Sequence, residues 1–329
     1  MESHKIEISP KTILFAIGTL LSIWFFYQVR SIIVLLFVAF ILMTAVNPLI
    51  KLAKKVKIPT IIVMLIVYFG LIALVSTVVA SLIPAVVQQT KDITLQLPTY
   101  VHNLETIFNA KFDPNVAGSY LNSIPSNLLK IAAGAFNNIM NILALFFMAY
   151  YLVVERPHLH KYLIRFFGNH HAEERAEALV LEVENQVGGW VRGELILMAI
   201  IGVMTYFGLI LLGIPYALPL AILAGLLEAV PNLGPTIAAV PAILMGLTVS
   251  PIIGLGALIL SIIIQQLENN LIVPKVMQST TGTQPLITII VLLIGFTLGG
   301  IAGAILSMPL YLTLQIVIKS FSPSPGERS

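Results

Sequence analysis

Long apolar stretches separated by short polar breaks set the pattern of this chain: 12–29, 31–50, about 60–86, about 134–154, about 195–213, 216–272 and 286–318. Thr12 to Val29 holds 18 uncharged residues, the lower end of what a bilayer crossing needs. No small-residue cleavage site follows. The chain runs through Gln28-Val29-Arg30 into the next apolar run, so the first stretch is expected to stay in the membrane. The 216–272 stretch is too long for one crossing, and Ser250-Pro251 divides it into 216–250 and 251–272. The pattern predicts an all-α, polytopic transmembrane protein of about eight membrane segments, with broken or re-entrant helices in its C-terminal half.

Two polar insertions punctuate these segments, at about 87–133 and about 155–194. Pro98, Pro114 and Pro125 predict that the first is broken into short pieces. In it Val101, Leu104, Ile107 and Phe108 recur at helical spacing, a face expected to pack on the membrane domain or lie in the interface. In the second, 172–187 reads as an amphipathic helix with a buried stripe of Val180, Val183 and Val187, ended by Gly188-Gly189. The expected organisation is a scaffold over 1–154, an amphipathic segment over 155–194 and a transport unit over 195–329.

Composition sharpens the class. Of 329 residues, 58% are hydrophobic and 10% charged, whereas a soluble domain runs near 45–50% apolar and about 25% charged. Too few charges remain to cover a soluble surface, which excludes a soluble enzyme, a disordered chain and a nucleic-acid reader. The absence of cysteine excludes disulfides, thiol catalysis and thiolate metal sites.

Charge placement gives an orientation. Lys51, Lys54, Lys55 and Lys57 form a short basic loop expected in the cytoplasm, and Arg156, Lys161 and Arg165 agree with it. Eight crossings then place both termini in the cytoplasm and 87–133 outside. On that topology 13 of the 18 Lys and Arg are inside; Arg30, Lys91, Lys111, Lys130 and Lys275 are outside.

Charges inside a bilayer are costly, about 2.5–3.5 kcal/mol on insertion scales, and mark candidate function. Between Glu194 and Lys275 the charged residues are Glu228 and Glu268, and 276–318 has none. Glu228 opens Glu-Ala-Val-Pro231-Asn232-Leu-Gly234-Pro235, with Pro241 beyond, a stretch expected to unwind in the membrane. Irregular backbone at that depth must be buried in protein or line a cavity. Glu268 sits in Gln265-Gln266-Leu-Glu268-Asn269-Asn270, closed by Pro274, and Gln265, Glu268 and Asn269 are expected on one helical face. The expected substrate- or ion-binding set is Glu228, Asn232, Gln265, Gln266, Glu268 and Asn269, sharing one cavity. The 286–318 run would be about 50 Å as a straight helix against a core of about 30 Å. Gly295, Gly299, Gly300 and Gly303 cluster near its middle, with Pro309 after them, which suits a break, a re-entrant hairpin or close helix packing.

His158, His160, His170 and His171 read as a solvated loop, and no P-loop, dinucleotide fingerprint or His-Glu-x-x-His is present. No catalytic chemistry, cofactor or metal is expected.

The Glu228-to-Pro235 and Gln265-to-Lys275 motifs resemble the autoinducer-2 exporter family, also called PerM-like permeases, and the resemblance covers essentially the whole chain. Asn47-Pro48 and Tyr150–Arg156 are similar to the family pattern; Asn270 beside Asn269 departs from it. The resemblance implies a multi-pass inner-membrane transporter exporting a small polar solute such as autoinducer-2. The alternatives are a sodium(lithium)/proton antiporter and a non-transporting membrane scaffold. It also implies a homo-oligomer, a pentamer, whose partners are a small-molecule or cation substrate and the lipid bilayer.

Overall fold

The computed structural model describes residues 10–108, 139–167, 171–231, 233–277 and 285–321. All regular structure among them is helical. In chain order the helices are α1 (Pro10–Lys55), α2 (Thr60–Phe108), α3 (Ile139–Glu155), α4 (Leu159–Phe167), α5 (Ala172–Leu211), α6 (Ala217–Leu227), α7 (Leu233–Val249), α8 (Pro251–Leu267), α9 (Val273–Met277) and α10 (Pro285–Phe321). Six helical stretches have the length and apolarity to cross a membrane, and α6 and most of α7 form two shorter apolar helices. The chain is therefore a polytopic helical membrane protein.

The N-terminal elements depart from the expected division. Residues 12–29 and 31–50 form one unbroken helix of 46 residues, about 70 Å long at the usual rise. Arg30 does not interrupt it; its guanidinium lies 4.0 Å from the centroid of the Tyr27 ring one turn earlier. The first polar insertion is not broken at Pro98, because α2 continues through Pro84 and Pro98 to Phe108, although its membrane-length apolar stretch ends at Ser81. Pro114 and Pro125, and the side chains of the 101–108 stripe, lie outside the described residues. Ala39, Val46 and Ile50 of α1, Val63 and Met64 of α2, and Phe146 and Ala149 of α3 form one core. The Tyr68 hydroxyl donates to the Ile142 carbonyl and ties α2 to α3.

Helix α5 is the axis of the rest. It does not end at Gly188-Gly189 but runs unbroken to Leu211. Both glycines are buried, and a Cβ at Gly188 would lie 3.4 Å from Thr44 Cβ, so they let α1 approach instead of stopping the helix. The buried stripe of its polar half is Ala176, Leu179, Val183 and Val187, with Val180 half-buried, the 3–4 spacing of a helix face. That stripe packs on Phe167 and on Met308, Leu312 and Ile316 of α10. Beside it, Arg156 forms a bidentate pair with buried Glu184, Nη2 to Oε2 at 2.6 Å and Nε to each oxygen at 3.0 Å.

The over-long runs resolve into reversals. Gly213 and Tyr216, at φ 68° and 59°, turn the chain from α5 back into α6. Leu220 near the start of α6 shares a core with Ala242 and Met245 near the end of α7, so these helices are antiparallel arms joined at 228–232. Neither arm, at 11 and 17 residues, reaches the ~30 Å of a hydrocarbon core alone. Ser250 caps α8, its Oγ accepting from Ile253 N at 3.2 Å with Pro251 in the first turn, and sends the chain back along α7.

Helix α10 is also a hairpin. Gly299 (φ −139°, ψ 15°) and Gly300 (φ 61°, ψ −144°) leave helical geometry, the second in a region open essentially to glycine alone. The arms then close so tightly that a Cβ on Gly303 would lie 2.1 Å from the Gly295 carbonyl oxygen, and one on Gly295 would lie 2.6 Å from Ser307 Cβ. The glycines serve as both break and packing surface.

Candidate functional site

Antiparallel pairing brings distant acids to one level. A Cβ on Gly225 would meet Met198 O at 2.6 Å, and Gly202 faces Ala221 in the same way. Continuing that register sets Glu194 of α5 against the 228–232 turn. Between α7 and α8, Gly246 meets Gly254, and the same continuation sets Glu268 level with the start of α7. The 250–251 end of α8 lies by Leu212 and the opposite end by Gly193, which Met277 packs against. Glu268 is therefore not at the far end of its segment from Glu228, as one crossing over 216–250 would require. Lys275 likewise belongs to the end of the bundle that holds Gly193.

Three glutamates converge there: Glu194 is 5% exposed, Glu228 1% and Glu268 1%. The carboxyl groups of Glu228 and Glu268 lie near enough to interact, and Glu194 lies within electrostatic reach of both. Carboxylates only accept, so a hydrogen bond between two carboxyl groups requires a proton on one of them. Gln265 Nε2 donates to Glu268 Oε2 at 3.5 Å. Both Glu194 oxygens and Oε2 of Glu228 have no hydrogen-bond partner among the described residues. Buried acids without donors cost several kcal/mol each, so this arrangement is expensive as pure structure.

The expected site is brought together only in part. After Leu267 the chain widens into a π-turn over Glu268–Ile272, in which the N–H of Val273 reaches back to Glu268 O. Pro274 supplies a reason: its ring clashes with the carbonyl of Asn270 in a regular helix and it has no N–H to donate. The polar residues are thereby split. Glu268 is buried and Gln265 half-buried, but Gln266, Asn269 and Asn270 are exposed, and Asn270 donates back to Gln266 O and Oε1 at 2.9 and 3.0 Å. Asn232 lies outside the described residues.

The proposed breaks divide as well. Pro231 lies in the turn, and a Cβ at Gly234 would lie 1.8 Å from Leu227 O, so that turn closes only with glycine. Pro235 stands in the first turn of α7, where a missing N–H is harmless. Pro241 breaks nothing; it is buried inside a continuous α7. Glu194 is the acid that sequence reading passes over. It stands at the edge of an apolar run and looks like a boundary charge, and only the antiparallel return of α6 encloses it.

Among the described residues no three metal-ligating side chains are grouped to hold an ion. His158, His160 and His171 each pair with a glutamate, at 3.6, 3.7 and 3.4 Å; His170 lies outside the described residues.

Comparison with known proteins gives the family of the chain. Residues 13–322 match the family model described as AI-2E family transporter. YueF of Bacillus subtilis (strain 168) is 29% identical over 313 residues, 86% of this chain and 81% of its own length. YrrI of the same organism is 30% identical over 195 residues, 57% of this chain and 55% of its own. YhhT of Escherichia coli (strain K12) is 37% identical over 112 residues, 33% of this chain and 32% of its own. All three are named as transport proteins, and with a match that spans nearly every residue, the chain belongs to the AI-2E transporter family.

Proposed function

We propose that this membrane transporter is proton-coupled, with the Glu228–Glu268 pair as its proton carrier and Glu194 as the third acid of the site. The observation that carries this reading is the convergence of three buried acids, Glu194, Glu228 and Glu268, where the α6–α7 turn meets the end of α8. A proton held between two acids is released when a cation takes its place and restored when the cation leaves. Exchange of a small hard cation for protons suits oxygen ligands. Export of a polar solute such as autoinducer-2 draws less support, because of the amides described only Gln265 stands beside the acids, while Gln266 and Asn269 are exposed. A scaffold has no use for three buried acids.

Purified protein in liposomes with an internal pH dye tests the reading. A sodium or lithium gradient should move protons, and a choline gradient should not. Solute efflux without cation-linked proton movement would replace this reading with uncoupled export.

We place the protein in the cell membrane, with the Lys51–Lys57 loop and the end of α10 in the cytoplasm. Lys275 then joins the cytoplasmic side, which strengthens the bias of positive charge. Because α1 is one unbroken helix, we place residue 10 on the face opposite the Lys51–Lys57 loop, in place of the cytoplasmic amino terminus expected from eight crossings. Cysteine labelling reads this directly, since the chain has no cysteine of its own. Tyr216→Cys and Lys11→Cys should react with an impermeant maleimide from outside, Lys57→Cys only after permeabilisation. Reaction of Lys57→Cys in intact cells would reverse the orientation. Leu14, Phe15, Leu20, Trp24 and Phe26 of α1 are all exposed, a surface that lipid covers in a single copy and that a second copy would cover in the homo-oligomer the family resemblance implies.

A further inference from the structure

Next to the acid cluster, on another face of α5, lies a cavity of about 420 Å³. Asn185, Gln186, Gly189, Arg192 and Gly193 line one side and Val276 of α9 the other. Arg192 makes no ion pair among the described residues. None of the nearby acids pairs with it. Glu184 is held by Arg156, Glu228 and Glu268 lie beside each other, and Glu194 is buried in their cluster. The wall therefore offers a guanidinium with five N–H donors and two carboxamides, and it contains no carboxylate.

We propose that this cavity is an anion site for a ligand carrying a carboxylate or phosphate group, with Arg192 as its charged contact and the Asn185 and Gln186 amides beside it. A guanidinium fork matches either oxyanion in a bidentate arrangement, where a lysine supplies only a point charge. The volume suits a small organic anion, and a lipid headgroup presents the same chemistry. The site does not depend on the proton carrier: it has its own residues, and binding to it is measured without any transport.

The test uses the full-length protein in nanodiscs and the emission of Trp190, two residues from Arg192 and 7% exposed, in a Trp24→Phe background. In phosphatidylcholine discs, succinate and inorganic phosphate should change the emission saturably and glycerol should not. Arg192→Gln should weaken this binding at least tenfold, Arg192→Lys less, and Gln186→Ala slightly, with unchanged melting temperatures. A response that appears only when phosphatidylglycerol replaces phosphatidylcholine, and is lost in Arg192→Gln, assigns the site to a lipid headgroup. Equal responses in wild type and Arg192→Gln, or no response to any anion or to the anionic lipid, would overturn the site. Glu228→Gln should bind the anions like wild type, which separates this result from the fate of the proton carrier.

Discussion

Glu228→Gln should yield a folded, inserted protein whose cation-driven proton flux falls to that of protein-free liposomes. Glutamine keeps the shape of the side chain and can hydrogen-bond Glu268, but it carries no exchangeable acid proton. The melting temperature should change little, since the substitution leaves no new unpaired charge in the core. Glu268→Gln should have the same effect, and the double variant should be no worse than either alone, because two groups that share one proton act as a unit. Glu194→Gln should slow transport without abolishing it, as Glu194 acts on the pair through its field. Wild-type flux in the Glu228 variant would remove the pair from the mechanism and leave its burial unexplained.

Gly303→Ala should be the most damaging small substitution in the chain, together with Gly234→Ala. The added carbon would lie 2.1 Å from Gly295 O in the first case and 1.8 Å from Leu227 O in the second. Both obstacles are backbone, so no rotamer change relieves them and the hairpin must open. Overpacking costs about 1–3 kcal/mol where side chains can adjust, and more is expected here. Gly18→Ala provides the control, because nothing lies within 4 Å of its added carbon on an exposed helix. Size-exclusion profiles after heating should show early loss of the monodisperse peak for the first two variants and none for Gly18→Ala. A wild-type profile for Gly303→Ala would mean that the α10 arms stand further apart than their glycines indicate.

Much of this was legible in the chain. Apolar run lengths reveal a polytopic helical protein, and the excess length of 216–250 and 286–318, with glycine and proline in each, marks where the chain turns back. Glu228 and Glu268 stand out because nothing else in their stretches is charged. What sequence could not convey is direction. Reading 216–250 as one crossing reverses the sense of everything after it, which puts Glu268 and Lys275 at the wrong end. Glu194 escapes notice for the same reason, since an acid at a segment edge is ordinary until a returning helix encloses it. The scatter of Gln266 and Asn269 away from Glu268 depends on a π-turn, and a face drawn at 3.6 residues per turn cannot foresee it.

The α10 hairpin also bears on how the protein is built. Its turn at Gly299-Gly300 exposes backbone groups that lipid cannot satisfy. The buried side chains of its second arm, Met308, Leu312 and Ile316, find their partners on α4 and α5. Those partners are made earlier by the ribosome, so they are available when this 37-residue element emerges. The hairpin is thus poorly suited to slide sideways into lipid as a finished piece. Its natural route is to dock onto a bundle already in the bilayer, which makes closure of α10 a step that waits on the rest of the bundle and a point at which quality-control proteases could tell a docked hairpin from an undocked one.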